Sequence, residues 1–243
     1  MSEEHLCVYG VVGETRLPKR LADRGLRLVP SGTVAALVAE LPASPVTATR
    51  RNLLEHADIV EDAFGWTTIL PMRFGVVLAD EEAVREVLLD ANAELLESLL
   101  ERHGSTAELT LKATYEEDAV LADVVASSPR VARLRRRYRD APSMEAGLNL
   151  GETVAAELGA RRDRDASRVL DALAPLALDV RAGEVSLENG VVNLAFLVER
   201  DRVDDIEAEL EKLSAELSPP VHFKLVGPLP PYSFVDVPLA VAA

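Results

Sequence analysis

Apolar and polar residues follow two different periods along this chain. His5 to Val12 is apolar on both faces of an extended segment, as an internal strand requires. Leu26–Val29 and Thr33–Leu41 read as further strands, with Pro30-Ser31-Gly32 as the turn between them. After a break from Pro42 to Pro45 the period changes. Leu53, Leu54, Ala57, Val60 and Phe64 recur at three-to-four spacing, which predicts a helix capped by Thr47 and running to about Phe64. Thr67–Leu70 predicts a short strand, interrupted by Pro71 and resumed over Phe74–Leu78. Asp80 is a good helix cap, with Glu81 and Glu82 in the first turn, where the helix dipole favours negative charge. The helix it opens carries Val84, Leu88, Ala91, Leu95 and Leu99 on one stripe and ends at His103-Gly104; Thr106–Tyr115 supplies another strand.

Strand, strand pair, helix, strand, helix, strand is the order of a decorated βαββαβ unit. It predicts a modified ferredoxin-like domain over residues 1–116, with helices on one face of an antiparallel sheet. From Glu116 to about Pro175 the pattern is helical, with breaks at Pro129 and near Pro142. Ser143 caps a long helix through Met144, Leu148, Val154, Leu158, Val169 and Leu173. Gly147, Gly151 and Gly159 each weaken it by up to ~1 kcal/mol, so packing must hold it. Val180–Leu187 and Val191–Val198 flank Asn189-Gly190, which predicts a hairpin with a type I′ turn. Asp201 caps a helix with Val203, Ile206, Leu210, Leu213 and Leu217 inside, and Asp204, Asp205, Glu207, Glu209, Glu211 and Lys212 on a solvated face. Val221, Phe223 and Leu225 alternate into a last strand. The expected class is α+β, with a helical plus α+β second domain over residues 117–243 and long, coiled-coil-like helices.

Composition narrows the function. Hydrophobic residues make up 48%, enough for two cores. A formal net charge of −15 argues against general affinity for nucleic acid or anionic lipid. The single cysteine, Cys7, excludes an internal disulfide framework and a cysteine-rich metal site. Met1-Ser2-Glu3-Glu4 lacks the apolar core of a secretory signal, and no uncharged run spans a bilayer, so a cytoplasmic location is expected.

Catalysis finds no support. His5, His56, His103 and His222 lie on separate elements, read as surface or edge positions, and none has metal-ligand spacing. No phosphate-binding glycine loop or nucleophile elbow occurs. The expectation is no enzyme, no cofactor and no metal. Three other features stand out. Arg130, Arg133, Arg135, Arg136, Arg137 and Arg139 crowd one short helix, on which Arg130, Arg133, Arg136 and Arg137 share a face. They either pair with the chain's own acidic helices or form a docking surface for an acidic partner. RNA binding would need sheet aromatics that a 4% aromatic content does not supply. Pro71-Met72-Arg73-Phe74-Gly75 places a proline in a strand, as at an edge or bulge, with Arg73 and Phe74 to opposite sides and Gly75 permitting close approach. Gly227-Pro228-Leu229-Pro230-Pro231-Tyr232-Ser233-Phe234 should end the last strand. Its prolines should hold a stiff extended form that carries Tyr232 and Phe234 to defined places.

The two proline motifs together resemble the GvpL/GvpF family of gas vesicle proteins. So do the opening Val8-Tyr9-Gly10-Val11-Val12 and the segment Val192-Asn193-Leu194-Ala195-Phe196-Leu197-Val198 before an acidic helix. Leu229 stands where the family pattern has tryptophan. The resemblance covers nearly the whole chain. It implies an accessory or minor structural protein of gas vesicle assembly, associated with the vesicle. Such a protein would bind the hydrophobic shell protein and other gas vesicle proteins, without catalysis or cofactor. Either the edge near Pro71–Gly75, on its bulge signal, or the helix bearing Arg133, Arg136 and Arg137, on its charge cluster, is the expected contact region. A small-molecule-binding regulatory protein with paired ferredoxin-like domains is the alternative.

Overall fold

The computed structural model describes residues 5–13, 16–41, 47–187, 189–217 and 221–238. They form two compact units. One holds the chain up to Glu108 together with the segment from Gly227 onward; the other is Leu109–Val226. The terminal segment thus belongs with the first unit, whereas the expected division at 116 put it with the second.

The first unit contains β1 (Leu6–Gly13), α1 (Lys19–Ala22), β2 (Leu26–Ser31), β3 (Val34–Glu40), α2 (Arg50–Phe64), β4 (Ile69–Pro71), β5 (Val77–Leu78), α3 (Glu81–Ala83), α4 (Ala93–Arg102) and the start of β6 (Thr106–Tyr115). Its sheet runs β2-β3-β1-β4, with β5 also on β1, and β1 is antiparallel to β3, β4 and β5. One sheet face packs Val8, Val11, Val34, Ala36 and Val38 against Val84, Leu88, Leu89 and Leu96. The other packs Val12, Ala35, Leu37 and Ile69 against Leu21 of α1 and Ile59, Val60, Ala63 and Phe64 of α2. Helices were expected on one face. Alternate residues of β3 enter the two cores, so the helices cover both.

Strand β1 changes phase midway. Val8 pairs with Val38 and Gly10 with Leu37, which leaves Tyr9 as a bulge. A bulge inserts one residue, so Leu6 and Val8 before it and Val11 after it face the same core. Gly10 sits where β1 and β4 come closest. A Cβ there would lie 2.6 Å from the Ile69 side chain and 2.7 Å from the Leu70 carbonyl oxygen.

The helix opened by Asp80 is also out of phase with its sequence pattern. Asp80 caps it by accepting the Ala83 amide at 2.8 Å. A π-helical stretch, Val84–Leu89, and a 3₁₀ turn, Asp90–Asn92, then interrupt the α-helical ladder. The wider turn rotates α4 about its axis, so Leu96 is buried where Leu95 was expected, and Leu95 is 39% exposed. In α2 the cap is Thr49 rather than Thr47: its hydroxyl accepts the Asn52 amide at 3.2 Å. Leu53 and Leu54 of that helix are exposed.

The second unit comprises the rest of β6, α5 (Glu117–Ser127), α6 (Pro129–Asp140), α7 (Met144–Leu173), β7 (Asp179–Ala182), β8 (Gly190–Glu199), α8 (Val203–Glu216) and β9 (Val221–Leu229) up to Val226. Its sheet order is β7-β8-β6-β9. Leu109, Leu111, Phe196 and Val198 meet Val169 and Leu173 of α7 and Ile206, Leu210 and Leu213 of α8. The 30-residue α7 is tied down by the buried Asp165. Its carboxylate accepts the Tyr115 hydroxyl and Arg161 Nε, each at 2.8 Å, and Arg161 reaches Asp123 of α5 at 2.7 Å. The β7–β8 hairpin differs from the sequence reading. β7 ends at Ala182, Ala182 pairs with Leu194, and Gly190 lacks the positive φ of a type I′ turn. Asn193 and the backbone from Gly183 close a longer connection. β9 runs past Pro228 and ends at Leu229, before Pro230 and Pro231; as an edge strand it can carry Pro228 without losing a ladder bond.

Gly10→Ala is expected to destabilise the chain by about 1–3 kcal/mol, because backbone as well as a side chain blocks the new methyl. Urea unfolding of the two proteins measures it.

Candidate interaction surfaces

The Pro71–Gly75 motif lies along the edge of the first sheet. Pro71 pairs with Gly10, Met72 donates its amide to the Tyr9 carbonyl at 2.9 Å, and Val8 donates to the Val76 carbonyl at 2.9 Å. The chain between those bonds loops out opposite the Tyr9 bulge. The loop is a β-turn closed by Val76 N–H to the Arg73 carbonyl, with Gly75 at φ +92°, a value that favours glycine at this turn position. Arg73 and Gly75 are exposed and Phe74 is half-buried.

His56 holds this turn in place. It lies on the buried face of α2 with Ile59, Val60, Ala63 and Phe64. Its Nε2 donates to the Met72 carbonyl at 3.0 Å, which fixes the tautomer because a carbonyl only accepts. The ring stacks on Tyr9 at 4.9 Å and meets Phe74 edge-on at 5.6 Å. Burial pushes the imidazole below its ordinary range, with the Met72 carbonyl opposing. His103 is also buried, 3.2 Å from the Thr106 hydroxyl, and burial with the charge of Arg102 pushes it down too. Both histidines were read as surface or edge residues; the spacing 56, 59, 60, 63, 64 was the missed signal for His56. Burial raises the Cys7 thiol and the Tyr9 and Tyr232 phenols.

The C-terminal motif is fastened onto the first unit. Gly227 and Pro228 are exposed, but Pro230, Pro231 and Phe234 are buried. Turns from Pro230 and Pro231 direct Tyr232 into the core beneath α2, while Val235 and Val237 pack against the opposite core. The anchor is Glu108, a buried carboxylate that sequence reasoning missed, since nothing local marks it for burial. It accepts the Ser233 amide at 2.6 Å and the Ser233 hydroxyl at 2.7 Å.

The arginine helix α6 lies in the second unit. Ser128 caps it, accepting the Val131 amide, and Val131 is its buried anchor. Arg130, Arg133, Arg135, Arg136, Arg137 and Arg139 are all exposed. Of the two alternatives, pairing within the chain accounts, among the described residues, only for Arg139, which meets its neighbour Asp140 at 3.2 Å. No described carboxylate forms an ion pair with Arg130, Arg133, Arg136 or Arg137. Beside them lies an open depression of about 630 Å³ lined by Val125, Ala132, Arg135, Arg136, Tyr138 and Arg139. Among the described residues, no group of three or more His, Cys, Asp and Glu is placed to hold a metal, and no helix is long and apolar enough to cross a membrane.

The family match spans both proline motifs. The description "Gas vesicle synthesis protein GvpL/GvpF" matches residues 6–236. The chain belongs to the GvpL/GvpF family. Gas vesicle protein F of Streptomyces sp. (strain CB03234) is 36% identical over 240 residues, covering 94% of this chain and 98% of that protein. The crystal structure of GvpF from Anabaena sp. PCC7120 superposes with a TM-score of 0.85 at 23% identity, over 97% of this chain and 99% of that one. GvpF from Microcystis aeruginosa gives a TM-score of 0.77 at 21% identity. As a GvpL/GvpF protein the chain takes part in gas vesicle formation. Its α+β fold with antiparallel sheets is the one seen in those GvpF structures.

Two outcomes are expected. Glu108→Ala leaves the Ser233 amide without its buried partner and should cost about 2 kcal/mol in urea unfolding, with loss of hydrogen-exchange protection at Ser233. The two buried histidines protonate more readily in the unfolded chain, where their pKa is about 6.5. Their contribution to stability is therefore full above that pH and is lost as pH falls below it. The melting temperature should drop between about pH 6.5 and pH 5, and His56→Gln should flatten that slope.

Proposed function

We propose that this protein is an accessory or minor structural component of gas vesicle assembly that binds the hydrophobic shell protein, in the cytoplasm and in association with the vesicle and its other accessory proteins. The reading requires no catalytic group, cofactor, nucleic acid or membrane. Family membership supports the pathway. The observation that carries the shell-protein assignment is the edge formed by β4 and the Arg73–Val76 turn. β4 ends the order of its sheet, so its outer flank has no strand partner among the described residues. Next to it the turn presents Phe74 as a half-buried apolar contact and Arg73 as an exposed charge, both on a backbone held by His56. Ile69, Leu70, Pro71 and Met72 are themselves buried, so the accessible part of this edge is the turn, and its side chains set which chain is accepted.

We also read the first unit as a modified ferredoxin-like fold. The connection β1-α1-β2-β3-α2-β4, the order β2-β3-β1-β4 and the shared face of α1 and α2 support this. The modification is the segment from β5 to α4, which covers the second face of the sheet.

Arg73→Glu combined with Phe74→Ala should weaken capture of purified shell protein by an order of magnitude or more, roughly the effect of losing one aromatic anchor. Undiminished capture by a variant with normal melting would remove this edge as the binding site.

A further inference from the structure

We infer that copies of this chain associate head to tail, the arginine face of α6 on one copy docking against the acidic face of α8 on the next. Two observations carry this. The first is that both faces are unsatisfied. Some surface charges elsewhere are matched within the chain: Arg24 with Asp58 and Asp62, Arg27 with Glu81, Arg168 with Glu216. On α6, Arg130, Arg133 and Arg137 have no ion-pair partner among the described residues, although the adjoining α7 carries Glu145, Glu152 and Glu157. Of these, Glu157 is engaged by the Ser128 hydroxyl. On α8, Asp205 pairs with Arg202 and Glu209 with Lys212, but Asp204, Glu207 and Glu211 are exposed and pair with no described residue.

The second observation is the spacing. Arg130, Arg133 and Arg137 stand three and then four residues apart along one helical face; Asp204, Glu207 and Glu211 repeat that spacing with opposite charge. Two such helices laid side by side in the same direction bring three guanidinium–carboxylate pairs into register at once. Like charges at these spacings repel one another within a helix, so each face gains twice by meeting the other: new attraction, and relief of its own repulsion. An overall charge of −15 per copy opposes the approach of two copies in dilute salt. At about 0.1 M salt the screening length is ~10 Å, short enough to damp that general repulsion yet longer than a direct ion pair. The contact joins unlike patches, so each copy retains one open patch, and growth continues past a pair unless a ring closes.

The test is sedimentation velocity on the full chain, with variants at exposed positions whose folding is verified by circular dichroism and melting. In about 0.1 M salt the weight-average sedimentation coefficient should rise with concentration, and in about 1 M salt it should not. Arg133→Glu with Arg137→Glu makes both faces acidic and should abolish the rise. Glu207→Arg with Glu211→Arg makes both basic and should do the same. An equimolar mixture of the two variants restores complementary pairs and should associate again. A wild-type chain that stays monomeric at every concentration overturns the proposal. So do variants that associate as the wild type does, and a mixture that fails to recover. Loss of shell-protein capture on the Arg133/Arg137 change in a monomeric wild-type background would assign α6 to that partner instead, which also overturns it. Shell protein is absent from the sedimentation runs, so their failure leaves the proposed β4 edge untouched.

Discussion

Strand β1 is hydrogen-bonded along both edges and packed on both faces, so each of its buried polar groups must find a partner within the protein. That requirement shapes the first unit. One edge is satisfied by β3 along nearly the whole strand; the other is divided between β4 and β5. The Tyr9 bulge reconciles two core faces that a regular strand could not both serve, by moving Val11 to the side of Val8. The closeness of β1 to β4 leaves room for nothing larger than glycine at residue 10. Across from the bulge, the partner strand breaks into the Arg73–Val76 turn, and His56 closes the gap beneath it with one hydrogen bond and two ring contacts. The form of that turn is therefore a product of how the innermost strand is accommodated.

Local chemistry in the sequence was a good guide wherever one element's own residues decide its form. Thr106–Tyr115 is a strand over the residues expected, Asp80 and Ser143 cap the helices assigned to them, and the nearly all-apolar Val191–Val198 lies in a buried strand. Reading failed where partners distant in the chain decide. The bulge at Tyr9 answers to β3 and β4, not to its neighbours in sequence. The π-helical stretch after Ala83 turns Leu95 out and Leu96 in, a rotation that a fixed 3.6-residue period cannot report. His56 looked polar and was placed outside, though its spacing already put it on the buried stripe of α2. Glu108 gave no sign at all, because its partner is Ser233. Of the candidate contact residues, Arg73, Phe74 and the α6 arginines retain outward-facing surface. Pro230, Pro231 and Phe234 turn inward and Tyr232 packs on the core, holding the unit together.

The second unit solves a different problem. Its 30-residue helix includes three glycines, so intrinsic propensity is weak and tertiary contacts must supply the difference. Val169 and Leu173 enter the core, and Asp165 links the helix to β6 and, through Arg161, to α5. A buried carboxylate with two donors is a directional tether, and it fixes the rotation of α7 about its own axis in a way that apolar contact alone does not. The short α6 packs against this helix, buries Val131 and leaves its arginines outside.

The bond between Glu108 and Ser233 also sets an order in time. On the ribosome, domains usually fold as they emerge, the earliest first. Here the unit that begins the chain lacks the donors for its buried Glu108 until Ser233 has been synthesised, after the whole of Leu109–Val226. The first unit therefore gains its last buried hydrogen bonds only after the whole of the intervening unit has been made.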